Sequence, residues 1–161
     1  MFAIGGSLGS ARVFEAVFAA AEILPEYDFE IVLGKLNTGL RKKFSQLPNV
    51  VCHDFLAQVD MAKAYAKATL VITRAGATSL AEIEASGTDM LIVPLEGSAN
   101  GHQRANAAAY AAKGYSVILE KDIAELPKKL KALMVAARSV SMKKSGSAGE
   151  GIARVIRTIG K

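Results

Sequence analysis

The sequence has no tryptophan, one cysteine, four prolines and only 6% aromatic residues. A single cysteine forms no internal disulfide, so no disulfide framework holds this chain, and the free thiol fits a reducing compartment. Cys52 lies in the apolar run Val50-Val51-Cys52, the setting of a buried structural thiol rather than of a nucleophile. Scarce aromatics beside abundant Ala, Gly, Val, Ile and Leu argue against an all-β sandwich and for helices packed on a parallel sheet. No apolar run reaches the roughly 20 residues that a membrane-spanning helix needs. The apolar start, Met1 to Ile4, is short, has no basic segment before it and runs into glycine, so it does not read as a signal peptide. A soluble, cytoplasmic protein is expected. The two histidines, His53 and His102, share no metal-ligand spacing with each other or with Cys52, so no metal is expected.

Charge of neither sign dominates: 20 Lys and Arg against 15 Asp and Glu leave a net +5. The basic clusters Arg41-Lys42-Lys43, Lys128-Lys129-Lys131 and Lys143-Lys144 have no aromatic residues interleaved, so nucleic acid is not an expected partner. The excess suits an anionic ligand or an anionic membrane surface, and equally plain solubility. What is present is apolar: 51% of 161 residues, enough for the core of one domain.

Along the chain, short β-rich apolar runs alternate with helical patterns. Strands are expected at 1–4, 29–33, 50–53, 70–73, 90–93 and 115–119. Helices are expected at 11–24, 40–47, 61–67, 78–85, 102–113 and 122–137, the last tolerating Pro127 only near its first turn. Residues 142–149 read as a linker, and 150–159 as a terminal helix with Ile152, Val155, Ile156 and Ile159 on one stripe. About six strands alternating with helices predict a Rossmann-like, doubly wound parallel sheet. A chain that begins inside a strand reads as a domain cut from something larger.

The centre of the pattern is the stretch 70–106, a strand, a small-residue turn (Arg74-Ala75-Gly76-Ala77), a helix and a second strand. In such βαβ units ligands sit beyond the carboxyl ends of the strands. The turn has no large side chains, so a ligand can reach the backbone, and the free N–H groups of the helix start suit a phosphate. Glu82, about one turn inside that helix, is an acceptor suited to a ribose diol; the alternative makes it an exposed helix residue facing solvent. A nucleotide or nucleotide-sugar is the first ligand hypothesis. The turn Gly5-Gly6-Ser7-Leu8-Gly9 also follows a strand and opens a helix, with Ser10 as expected N-cap. No carboxylate ends the second strand (Val32-Leu33-Gly34-Lys35) and no Walker lysine is present, so neither a nicotinamide cofactor nor a P-loop is expected. Asn100, His102, Gln103 and Asn106 cluster at the start of the fifth helix, where amides and imidazole suit sugar hydroxyls. His102 has no orienting carboxylate near it in sequence. Phe55-Leu56, just after the third strand, is placed to cover a base or to fill core.

Taken together these stretches resemble the C-terminal, donor-binding domain of the MurG-like GT-B glycosyltransferases, which add N-acetylglucosamine to lipid I in peptidoglycan synthesis. The resemblance rests on Gly5-Gly6-Ser7-x-Gly9, Met61-Ala-x-Ala-Tyr65, Arg74-x-Gly-Ala-x-x-x-x-Glu82, the proline-ended fifth strand and His102-Gln103-x-x-Asn106, in matching order across nearly the whole chain. It implies UDP-N-acetylglucosamine as ligand and no cofactor. Glu82 would bind the ribose hydroxyls, Gly76 and Ala77 the diphosphate through backbone N–H groups, and Ser7 would lie near the phosphates. Phe55 and the Leu56 backbone would contact uracil, and His102 and Gln103 would hold the sugar. Arg74 matches a family position without an assigned role. Leu8 stands where many members carry Gln, Ala75 replaces a common Ser, and the loop before Met61 is slightly longer than usual. In that family a second, N-terminal domain brings the lipid-linked acceptor, the membrane patch and the proposed base, so this chain is expected to be one donor-binding domain, with the acceptor half in an absent domain or a separate partner subunit. A non-catalytic nucleotide-sugar-binding or interaction module and a UDP-sugar epimerase of related fold are the alternatives.

Overall fold

A computed structural model describes residues 1–6, 10–98 and 101–144. Six short strands form one parallel sheet: β1 (Phe2–Ile4), β2 (Phe29–Val32), β3 (Val50–His53), β4 (Val71–Thr73), β5 (Met90–Ile92) and β6 (Ser116–Val117), in the order β3-β2-β1-β4-β5-β6. The order reverses between β1 and β4, so the turns that follow these two neighbouring strands diverge and leave a crevice at their carboxyl ends.

Successive side chains of a strand face opposite sides, and both sides are apolar here. Ala3, Ile31, Ile72 and Leu91 face one layer, with α1 (Ala11–Ile23) and α6 (Leu126–Lys144) packed on it through Val13, Phe14, Val17, Leu126 and Leu130. Phe2, Ile4, Val71, Met90 and Ile92 face the other, covered by α3 (Gln58–Lys67), α4 (Ala77–Ala85) and α5 (His102–Ala112) through Tyr65, Leu80, Ile83 and Ala107. A short basic helix, α2 (Arg41–Phe44), buries Phe44 against the edge of the first layer. Cys52 is half-buried against this core, and burial pushes its thiol above the ordinary value.

Alternating helices and parallel strands, with helices on both faces, make the doubly wound sheet that the sequence pattern predicts. The differences lie at element ends. α3 begins at Gln58 rather than at residue 61, because Ala57 adopts extended backbone and its carbonyl already accepts the amide of Met61. β6 holds only Ser116 and Val117 of the expected 115–119. The last expected helix splits: Glu120–Glu125 forms a 3-10 turn, and α6 starts at Leu126, which places Pro127 in its first turn, where its missing N–H costs no helical bond. α6 continues to Lys144, into the residues expected as a linker, while the expected terminal helix over 150–159 lies outside the described residues. Gly114 follows α5 with φ 101°, a left-handed backbone that glycine adopts without strain.

Candidate functional site

Beyond the carboxyl ends of β1 and β4 lies a cavity of about 240 Å³. Three turns line it: Gly5 and Gly6 after β1, the run from Thr73 and Arg74 through Gly76, Ala77, Thr78 and Ser79 after β4, and Leu95 after β5, with Gln103 reaching in from α5. Gly76, the N-cap of α4, carries no capping side chain. The first N–H groups of a helix have no intrahelical partner, so those of α4 are left to a ligand at the positive end of the helix dipole. Gly6 turns the chain away from β1 with φ 70°.

Beneath the cavity a buried polar network joins the turns. Arg74 and Glu120 pair at 3.0 Å, each side chain only 8% exposed. Arg74 Nε donates to Ser10 Oγ at 2.9 Å, and Ser10 Oγ donates to the Gly5 carbonyl at 2.6 Å. The other carboxylate oxygen of Glu120 accepts the Glu96 amide at 3.0 Å, and Glu96 in turn accepts the Lys121 amide at 3.3 Å. Burial on its own would raise the Glu120 carboxyl, but the Arg74 and Glu96 hydrogen bonds, with the charges of Arg74 and Arg12, hold it below the usual carboxylate range. Ser10 is therefore the N-cap residue of α1 by position only: it makes no side-chain cap bond, and its hydroxyl serves the network instead.

Gln103 is a second tie. Its Oε1 accepts two backbone amides, Leu95 at 2.9 Å and Ala75 at 3.2 Å, so the amide NH2 is what it has left to offer a ligand. Asn106, one turn on, donates to the Ala75 carbonyl at 2.9 Å.

The structure thus brings Gly76, Ala77 and Gln103 together on one cavity. Glu82, His102, Phe55 and Leu56 are not among its lining residues. Glu82 is exposed on α4, within electrostatic reach of α3: burial, and then the Glu82 charge, push the Tyr65 hydroxyl up to about 12. His102 is exposed at the first position of α5. Phe55 is 78% exposed, so it is not core, and Leu56 is half-buried against the second layer. Ser7 lies outside the described residues. His53 ends β3 and contacts Glu30 Oε1 through Nε2 at 3.0 Å. Among the described residues no group of three His, Cys, Asp or Glu side chains is placed to hold a metal ion, and no helix is long and apolar enough to cross a membrane. Sequence reasoning missed Glu120 and the role of Arg74; the only signal was an arginine in a stretch otherwise made of small residues.

Fold and cavity define a doubly wound α/β domain with a ligand crevice at its topological switch point. The chain belongs to the glycosyltransferase family 28 C-terminal domain family, which it matches over residues 1–159. It is 36% identical over 129 residues to a UDP-N-acetylglucosamine–N-acetylmuramyl-(pentapeptide) pyrophosphoryl-undecaprenol N-acetylglucosamine transferase of Finegoldia magna, covering 76% of this chain and 34% of that enzyme. An enzyme of the same name from Citrifermentans bemidjiense is 39% identical over 129 residues, covering 74% of this chain and 35% of that enzyme. The chain thus spans about a third of the length of these relatives. Among solved structures, MurG of Acinetobacter baumannii superposes with a TM-score of 0.68 at 25% identity, covering 98% of this chain and 45% of that one. A UDP-GlcNAc 2-epimerase of Neisseria meningitidis shares the fold, with a TM-score of 0.62 at 15% identity over 98% of this chain and 42% of that one.

Proposed function

We propose that this chain is the UDP-N-acetylglucosamine-binding half of an inverting N-acetylglucosaminyltransferase that acts on a lipid-linked acceptor in peptidoglycan synthesis. The observation that carries the reading is the cavity at the β1–β4 switch point, where the uncapped start of α4 meets the Gly5–Gly6 turn and Gln103, in a chain of this family.

In this reading the diphosphate lies against the Gly76 and Ala77 amides, with Ser7 close by. The helix dipole stabilises the UDP that departs as an acceptor hydroxyl attacks the anomeric carbon. Gln103 and His102 take the sugar, Gln103 through its NH2 because its oxygen already holds two backbone amides. Glu82 accepts the ribose hydroxyls, and Phe55 with the Leu56 backbone meets the uracil. Pockets that hold a whole small ligand run to about 300–1,000 Å³, and this cavity of about 240 Å³ is smaller. It would enclose the diphosphate and part of the sugar while uridine crosses the open surface toward Glu82 and Phe55. A transferase must also align the acceptor and exclude water. The acceptor, the catalytic base and any contact with the inner face of the cytoplasmic membrane are accordingly assigned to a second domain or partner subunit, with this chain as a single donor-binding domain. Transferase activity of this chain alone is expected to be weak or nil.

The test is calorimetric titration of the chain with UDP-N-acetylglucosamine, with UDP-glucose, NADH and Glu82→Ala as controls. Saturable binding of the UDP-sugar is expected. A hydrogen bond to a charged group contributes about 1.5–3 kcal/mol, so Glu82→Ala should weaken binding about tenfold or more. Binding to NADH alone would refute the reading.

A further inference from the structure

We infer that the buried Arg74–Glu120 pair is a positioning device for the nucleotide site: it sets the three strand-end turns against one another, and what it secures is the geometry of binding rather than the stability of the fold. The inference rests on the reading of the cavity as that site.

Three observations carry it. The pair is 46 residues apart in sequence, and its bonds tie the turn after β4, which carries Arg74, to the turns after β1 and β5 that form the other walls of the cavity. Nε reaches the β1–α1 turn through Ser10 to the Gly5 carbonyl. NH2 reaches Glu120, whose second oxygen holds the Glu96 amide beside Leu95. NH1 lies 3.5 Å from the Val93 and Pro94 carbonyls at the end of β5. The diverging nitrogens of a planar guanidinium are needed to serve these points together, and a lysine offers one compact ammonium instead. Second, both charges are buried, and desolvating two ions costs so much that well-packed apolar residues in their place are often as stable or more so. Fold stability is therefore a poor reason for this pair. Third, Arg74 is itself a lining residue, so the pair is anchored at a position in the cavity wall.

The experiment uses the 161-residue chain with Arg74→Met and Glu120→Leu combined, read three ways: thermal unfolding, titration with UDP-N-acetylglucosamine, and amide hydrogen exchange at Ala75 and Leu95. Both amides donate to Gln103 Oε1 and to neither substituted side chain, and each rate is read as a protection factor against the unfolded chain, because Ala75 directly follows residue 74. The expected result is a melting temperature at or above that of the parent, affinity at least tenfold weaker, and exchange at both amides at least tenfold faster. A variant that melts like the parent and keeps both its affinity and its exchange rates overturns the inference. Ser10→Ala, which cuts only the link to the Gly5 carbonyl and leaves the ion pair whole, decides the matter if the double variant does not fold. Affinity at least fivefold weaker at unchanged melting supports the device, and parental affinity and exchange refute it. If the parent binds no UDP-sugar, the functional reading fails, while the exchange rates still decide whether the pair sets the turns.

Discussion

Two glycines of the cavity, Gly5 and Gly76, are separable by adding the same methyl group to each. A Cβ on Gly5 would lie 2.7 and 2.8 Å from the Phe14 ring and 2.9 Å from Ser10 Cβ. Neither neighbour can withdraw: Phe14 is 0% exposed in the core, and Ser10 is held by Gly5 and Arg74. Overpacking of this kind costs about 1–3 kcal/mol. At roughly 2–4 °C per kcal/mol for a domain of this size, Gly5→Ala should lower the melting temperature by about 2–12 °C. Gly76 has φ −71° and ψ 129°, backbone open to any residue, and a Cβ there meets nothing within 4 Å. Alanine is a poorer N-cap than glycine by roughly 1 kcal/mol, a loss offset by the gain of about 0.4–1 kcal/mol from a less flexible unfolded chain. Gly76→Ala should therefore melt close to the parent. Its methyl nonetheless stands at the uncapped start of α4, where a phosphate oxygen needs to approach the backbone, so affinity for UDP-N-acetylglucosamine should fall at least tenfold. Scanning calorimetry and titration of the two variants read both effects. A Gly76→Ala chain that binds like the parent would refute the placing of phosphate at α4, and a Gly5→Ala chain that melts like the parent would refute the packing argument.

The remaining predictions concern pH. The Glu120 carboxyl is held low in the folded state, so its contribution to stability is present above the unfolded value of about 4.3 and is lost as pH falls through the lower folded value. Glu120→Gln should destabilise the chain at neutral pH, because it leaves Arg74 buried without its counter-charge, and should flatten the acid limb of melting temperature against pH. Asp89 behaves oppositely: it is 7% exposed, and desolvation raises its carboxyl above the usual range. Its charge costs stability at neutral pH, so Asp89→Asn should raise the melting temperature at pH 7 by a few degrees, the gain shrinking as the pH falls through the folded value toward the unfolded one, about 3.9. A constant difference across the range would show that burial of the charge is not the cause.

The centre of the sheet was legible because β1, β4 and β5 are buried on both faces: runs such as Leu70-Val71-Ile72 and Met90-Leu91-Ile92 have no alternation to confuse and end at turn residues. The small-residue turn after β4 that lines the cavity was legible for a local reason too, since small residues between a strand and a helix mark themselves in sequence. Long-range polar ties carry no such mark. Glu120 sits in Leu119-Glu120-Lys121-Asp122, which reads as a charged surface loop, and only the return of the chain beside β5 buries it against Arg74. Gln103 reads as a sugar ligand because a side-chain amide near a site offers both donor and acceptor; that its acceptor is taken by the Ala75 and Leu95 amides depends on two turns folding over α5. Glu82 stands on α4 as expected, but helical phase alone did not show that it stays outside the cavity's lining, exposed on that helix.

The same architecture serves transferases and epimerases, so what separates them must lie in the side chains at the strand ends. The cavity here is lined by glycines and alanine, by Thr73, Thr78 and Ser79, by Leu95 and Gln103, and by Arg74, whose charge Glu120 balances. Among the described residues no carboxylate or imidazole lines it, so where the proposed reading sets His102 at the sugar the cavity wall supplies no second group for the base and matching acid that an epimerisation by proton abstraction needs. Hydroxyls, backbone amides and a helix dipole suit a different task, which is to hold a diphosphate and stabilise it as it leaves. On the proposed reading such a wall binds and polarises a donor, and the proton acceptor for an attacking hydroxyl comes from outside it. That division of labour follows from the chemistry of the lining itself, and it is why the donor half of a transferase fits this cavity better than an epimerase does.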